Sequence, residues 1–337
     1  MITFLVCLAL LVVAYFTYGK YLCKVAGVRN TTEVPSKTMY DGVDYIPMPR
    51  WKTFLIQLLN IAGLGPIFGA LLGAAYGPVA FVWITLGGIF FGAMHDLLSG
   101  IISLRNGGLS LPEIVEVAIA QLSIHDRFLM MAEGGKIDYA SHANDGGTVL
   151  REVLDFDNAI KVAYDFYMQH PDETLIVVTA DHETGGMALG NSDYTLNLKV
   201  LAEQKCSSDL LSDQLSALQK EAGERLTWEQ VREVISKNTG LYAEVEMSEE
   251  DDQLLQAAFA QMIQHQGVEK SLYKDINALA SKALALLNQK SRLGWTSKGH
   301  TASAVPVFAI GVGAERFTGW HDNSEIAPLI YEATQSH

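Results

Sequence analysis

The chain has few cysteines, fewer basic residues than acidic ones and, over one long stretch, no charge at all. Cys7, Cys23 and Cys206 show no spacing pattern, and two of them flank or lie in an apolar segment. A disulfide framework is excluded. Lys and Arg number 24 against 38 Asp and Glu, a net charge of −14. Nucleic acid is excluded as a partner, because phosphate backbones demand a basic face. Residues 53–94 carry no ionisable acid or base except by way of the hydroxyl of Tyr76. A globular surface rarely runs so long without charge, so this stretch reads as membrane-spanning. No Gly/Ser- or Pro-rich linker marks a boundary between parts of the chain.

What charge there is falls unevenly. Residues 1–110 hold seven basic and four acidic residues, net +3, which leaves −17 on the remainder. Two pieces with different surroundings are implied. In the first piece, residues 2–18 are apolar and closed by Lys20. A signal peptide opens on basic residues and ends on small ones; this segment opens Met-Ile-Thr-Phe and reads as a span. Residues 53–94 are long enough for two more, with Tyr76-Gly77-Pro78 as the turn. Gly63, Gly69, Gly73 and Gly88 permit close helix packing, and Gly65-Pro66 suggests a kink. About three transmembrane helices are therefore expected. Lys20, Lys24, Arg29, Lys37, Arg50 and Lys52 place the first loop in the cytoplasm. The third span then returns the chain to the cytoplasm near Arg105. His95-Asp96 closes that span, as an interfacial pair or as part of a polar pathway.

The second piece is organised around residues 133–142, E-G-G-K-I-D-Y-A-S-H. It follows the apolar run 128–131, read as a buried strand. Asp138 and His142 stand at i, i+4, so one helical turn aims both at one point. Oxygen and nitrogen donors converging in this way suit a divalent metal, zinc above all. Residues 175–180 form a second apolar strand, ending in Asp181-His182. Neighbouring side chains on a regular strand point to opposite faces. Both reach one ion only if the strand breaks, and Glu183-Thr184-Gly185-Gly186 supplies the break. Gly299-His300-Thr301-Ala302 precedes a third strand, 305–312. Between the first and second of these strands, 146–170 has the apolar spacing of a helix. The result is an α/β class with Asp and His at the rim of a sheet. Residues 196–290 are instead almost all helical, with helix starts at Thr227 and Ser248. They read as a cap inserted between the metal-bearing strands. His265 on this cap reads as a surface residue, and His321-Asp322 as the N-cap region of a closing helix.

The strings E-G-G-K-I-D-Y-A-S-H, T-A-D-H-E-T-G-G and G-H-T-A, in this order, resemble the metal-binding half of alkaline phosphatase. The resemblance implies Asp138, His142 and His300 as ligands of one zinc, Asp181 and His182 as ligands of a second, and Glu133 as a magnesium ligand. It implies two-metal hydrolysis of phosphate monoesters, with oligomers possible. The family's nucleophile is a serine in an Asp-Ser-Ala string, and this sequence contains no such string. The strings Y-D-G-V-D-Y-I-P, A-G-L-G-P-I-F-G, A-M-H-D and I-S-L-R-N-G-G resemble the start of carbon starvation protein A, a multi-span transporter family linked to peptide or pyruvate uptake. The two resemblances meet near Ser110, which caps a helix expected to run to about Ser123.

The expected organisation is then a carbon-starvation-like membrane segment, 1–108, and a phosphatase-like half, 109–337. The fold expected for the second is an incomplete α/β sheet with a helical insertion at about 196–290. The expected location is the inner or plasma membrane, multi-pass, with the second piece cytoplasmic. Three functions compete: a phosphomonoesterase fragment, weak or inactive without its nucleophile; a transporter fragment, too short for a carrier's pathway; and a non-functional fusion. Losing the upstream strands would leave raw sheet edges and apolar faces.

Overall fold

The computed structural model describes residues 2–29, 33–40, 47–49, 51, 53, 79–92, 97, 100–101, 104–105, 107–191, 194–264, 268–269 and 276–335. It divides into two compact units, Met1–Ile114 and Val115–His337.

In the first unit, α1 (Ile2–Phe16) runs almost directly into α2 (Tyr18–Val25). The Thr17 hydroxyl at the junction donates to the Val13 carbonyl at 2.7 Å. Residues Leu5–Val25 form a 21-residue stretch that is long and apolar enough to cross a bilayer. At about 1.5 Å per residue it spans roughly the 30 Å of a hydrocarbon core. Leu5, Leu8, Val12 and Val13 stand about half exposed, so the helix is not one-sided as on a globular surface. It is the single such stretch among the described residues, against the three that were expected. Most of 53–78 lies outside the described residues, as do the Gly65-Pro66 step, the Tyr76-Gly77-Pro78 turn and the His95-Asp96 pair. Of the expected third span, the described residues form a short helix, α4 (Val79–Gly87), followed by a short π-helix at Gly88–Gly92; α3 is the single turn Pro35–Thr38. The Cys7 thiol contacts the Phe81 carbonyl at 3.7 Å, and the Tyr18 and Phe90 rings meet edge to face.

Helix α5 (Leu111–Leu122) starts where Ser110 predicts. Both the N–H and the hydroxyl of Ser110 donate to Glu113 Oε2 at 2.8 Å. The run 128–131 is not the expected strand. It has no ladder partner, and Leu129 and Met131 are 80% and 74% exposed. A strand exists only by pairing, and among the described residues no strand pairs with this run.

Two helices follow, α6 (Gly135–His142) and α7 (Gly146–Tyr167). Asn144, at φ 54°, turns the chain between them. Asp145 caps α7, accepting from the Thr148 N–H at 3.1 Å. Its fully buried side chain also accepts from Gln204 Nε2 at 2.6 Å and from the Ser208 N–H at 2.7 Å. One side chain thereby ties the start of α7 to the helical cap. The contact is close: a Cβ on Gly146 would lie 2.5 Å from Asn288 Oδ1.

Strand β1 (Leu175–Val178) pairs antiparallel with β8 (Phe308–Gly311), Leu175 opposite Gly311 and Val178 opposite Phe308. These are the expected strands, the first shortened at its C-terminal end and the second at both ends. Other ladders are two residues long: β2 (Glu183–Thr184) with β7 (His300–Thr301), β3 (Ala188–Leu189) with β6 (Leu293–Gly294), and β4 (Val268–Glu269) with β5 (Ile276–Asn277). The β1–β8 ladder buries no residue fully, and Phe308 stands 64% exposed.

The dense core lies elsewhere, in the helical block. It comprises α8 (Lys199–Ala202), α9 (Ser208–Ala222), α10 (Trp228–Thr239), α11 (Glu249–Ile263) and α12 (Ala278–Ser291). Leu211, Leu215, Ile235, Leu255 and Leu287 are fully buried there. Helix α12 buries nine of its fourteen residues among its neighbours and leaves Lys282 and Gln289 exposed. Thr227 and Gln230 make the expected capping box, and Ser248 makes one with Asp251. His265 lies outside the described residues. The chain closes on α13 (Asn323–Gln335), where Asp322 accepts from the Ser324 N–H and hydroxyl, as an N-cap residue does.

Candidate metal centre

Three elements bring the predicted residues together. Helix α6 carries Asp138 and His142 on one face, one turn apart. Strand β2 follows directly on Asp181 and His182. Strand β7 begins with His300. The β2–β7 register sets Thr184 opposite His300 and Glu183 opposite Thr301. Side chains alternate along a strand, so Thr184 and His300 share one face and Glu183 and Thr301 the other.

The turn after β2 holds this ladder. Gly185 and Gly186 take φ of +85° and +59°, a conformation that side-chain-bearing residues rarely adopt. The Gly185 N–H donates to the Gly299 carbonyl at 2.9 Å. The Gly185 carbonyl accepts from the N–H groups of Thr296 and Ser297 at 3.0 and 3.1 Å. Glu183 accepts from the Gly186 N–H at 3.0 Å and from the Thr301 hydroxyl. The segment that delivers His300 is thus fastened to the segment that delivers His182.

Asp138, His142 and His300 converge. His142 Nε2 lies 3.2 Å from His300 Nε2. Asp138 Oδ1 lies 3.4 Å from His142 Nε2 and 3.7 Å from His300 Nε2. Zinc bonds of about 2.0–2.1 Å in a tetrahedron require donor-to-donor edges of about 3.3 Å. The three donors therefore fit one zinc ion closely. His142 Nδ1 faces the Lys298 carbonyl at 2.6 Å. That contact makes Nδ1 the donor and leaves Nε2 its lone pair. His142 is buried while Asp138 and His300 are partly open, so an ion here would be reachable from one side.

Donor atoms of Asp138, His182 and His300 also lie within 4.8 Å of one another. The ring geometry argues against that trio as the set for one ion. The His182 and His300 rings stack at 3.5 Å, only 21° from parallel. Lone pairs lie in the ring planes and here run side by side instead of converging. His142 and His300, tilted by 40° with centroids 5.0 Å apart, do converge. His182 instead pairs with its neighbour, Nε2 to Asp181 Oδ2 at 3.1 Å. The two residues expected for the second zinc are thus together, with Asp181 largely in solvent. Glu133 stands exposed on the loop before α6 and outside this donor cluster. Its charge is felt by Tyr139, whose hydroxyl is pushed up by burial first, then by Glu133 and Asp138.

Burial, and then His182 beside it, hold the His300 imidazole below its usual range. A neutral ring is the form that ligates a metal. The net −17 carried after residue 110 favours a cation and, until one binds, opposes a phosphate ester. Sequence reasoning missed Thr184, whose hydroxyl donates to Asp138 Oδ1 at 2.6 Å, and the Lys298 carbonyl. The threonine stood in the T-A-D-H-E-T-G-G string, but a carbonyl leaves no trace in a sequence.

Comparisons with known proteins find two families along the chain, whose matches overlap at residues 102–132. Residues 102–336 match the alkaline phosphatase family, and residues 1–132 match carbon starvation protein CstA. Alkaline phosphatase 4 of Bacillus subtilis is 30% identical over 225 residues, which cover 66% of this chain and 43% of that protein. The peptide transporter CstA of the same organism is 32% identical over 111 residues, 32% of this chain and 19% of that protein. The cold-active alkaline phosphatase of a Shewanella species is similar in structure, with a TM-score of 0.53 at 30% identity, over 66% of this chain and 50% of that one. The chain thus spans less than half the length of these curated relatives. Its first part is similar to the start of CstA, and over the larger part of its length the chain belongs to the alkaline phosphatase family.

Proposed function

We propose that residues 109–337 are the metal-holding half of a phosphomonoesterase of the alkaline phosphatase type. Asp138, His142 and His300 would hold one zinc, Asp181 and His182 would contribute to a second, and Glu133 would serve a magnesium ion. The observation that carries this reading is the triangle of donor atoms with edges of 3.2, 3.4 and 3.7 Å. Bound zinc supplies Lewis-acid stabilisation of a phosphoryl group and lowers the pKa of water. The chain's own residues fix the donors: Lys298 orients His142, and the Gly185-Gly186 turn joins His182 to His300. Asp181 and His182 lack an upstream carboxylate, and no Asp-Ser-Ala serine is present. Losing one member of a catalytic unit commonly lowers the rate by several orders of magnitude. The chain alone is therefore expected to bind zinc and to hydrolyse phosphate monoesters weakly or not at all. A chromogenic phosphate ester assayed with the zinc-loaded full chain tests this; turnover matching a full-length family enzyme overturns it.

The CstA-like segment gives the same chain a membrane anchor, multi-pass in the inner or plasma membrane, with the metal half on the cytoplasmic side. The 21-residue stretch Leu5–Val25 supports the anchor. Protease protection of the His300 region in sealed inverted vesicles would contradict the cytoplasmic placement.

A further inference from the structure

We infer that the Thr184 hydroxyl is a positioning group shared by the two halves of the metal centre. It steadies the Asp138 carboxylate and sets which His182 nitrogen carries the proton. Thr184 Oγ1 donates to Asp138 Oδ1 at 2.6 Å and lies 3.2 Å from His182 Nδ1. A hydroxyl has one proton. A carboxylate is the stronger acceptor, and the shorter contact is to Asp138, so the proton goes there. The oxygen then meets His182 with a lone pair and accepts the Nδ1 proton. With an ion bound, the Nε2 lone pair would face that ion beside Asp181 Oδ2, which lies 3.1 Å away and pairs with Nε2 directly when no ion stands between them. The Lys298 carbonyl does the same for His142. Thr184 suits the task because it stands on β2 opposite His300, and its β-branched side chain has few rotamers.

The inference rests on the metal-centre reading, and its test separates the two. Zinc affinity of the full chain is measured by chelator competition for the wild type, Thr184→Val and Thr184→Ser. Outer-shell partners of metal ligands are worth about 10–100-fold in affinity. The valine variant is expected to bind zinc weaker by that factor, and the serine variant within about threefold of wild type. In the zinc-loaded wild type, isotope-labelled histidine is expected to show the His182 proton on Nδ1, a readout independent of whether a variant folds. Valine binding like wild type, serine as weak as valine, or a His182 proton on Nε2 overturns this inference alone. A wild-type chain that takes up no zinc overturns it together with the metal reading.

Discussion

Asp145→Ala should unfasten the metal-bearing helix pair from the helical cap. The Asp145 side chain is fully buried and accepts four hydrogen bonds: from the Thr148 N–H and hydroxyl, Gln204 Nε2 and the Ser208 N–H. Losing an N-cap costs about 1 kcal/mol. A buried donor left without an acceptor costs about 1–3 kcal/mol. Ser208 N–H bears that in full. Gln204 Nε2 bears less, because it also reaches the Cys206 carbonyl at 2.9 Å and the Thr148 hydroxyl at 3.2 Å. The Thr148 hydroxyl is partly exposed and can turn to water. The expected loss is about 3–4 kcal/mol, a shift of roughly 6–16 °C for a unit of this size. Urea and thermal unfolding of the full chain in detergent, followed by circular dichroism, measures it, with Asp157→Ala on the exposed face of α7 as control. A loss below about 1 kcal/mol, or one no larger than the control's, would refute the reasoning.

Cys206 is buried and its thiol is pushed up to about 12, by burial first and then by Asp145. An alkylating reagent at pH 8 should leave it intact in the folded chain and label it once urea is added; rapid labelling of the native chain contradicts its burial. The thiol is neutral in the fold, so its contribution to stability is present below about pH 9 and fades as pH rises towards 12, visible as a falling urea midpoint in that window. Gly185→Ala would push a Cβ to 2.7 Å from the Trp295 ring at a φ of +85°, so zinc affinity should fall roughly 5- to 150-fold, the equivalent of the 1–3 kcal/mol of such backbone strain; unchanged affinity would mean the turn does not set the site. Phe308→Lys, on the exposed side of β8, should reduce aggregation in light scattering with little change in unfolding midpoint; a large destabilisation would mean that side chain is covered.

Much of this was legible in the sequence because it is encoded locally. Helix starts at Ser110, Thr227, Ser248 and Asp322 depend on side chains within three residues, and all four are found. The apolar runs at 175–180 and 305–312 become strands because they pair with each other. The run at 128–131 is as apolar but has no β-branched residue and no partner among the described residues, so it stays irregular. Composition proposes a strand, and only a neighbour makes one. Spacing on α6 brought Asp138 and His142 together, whereas the approach of His300 depends on the β2–β7 ladder, across more than a hundred residues of chain. The buried Asp145 network and the stacking of His182 on His300 come from long-range packing that no local string records. The core of the second unit lies in the cap and not against the sheet, a distribution that periodicity alone does not reveal.

The central claim is that Asp138, His142 and His300 close around one ion. X-ray diffraction from zinc-soaked crystals, at wavelengths on either side of the zinc edge, locates the metal directly. The account predicts an anomalous peak about 2 Å from Asp138 and from Nε2 of both histidines. Crystals that take up zinc only elsewhere, or none at all, would contradict it.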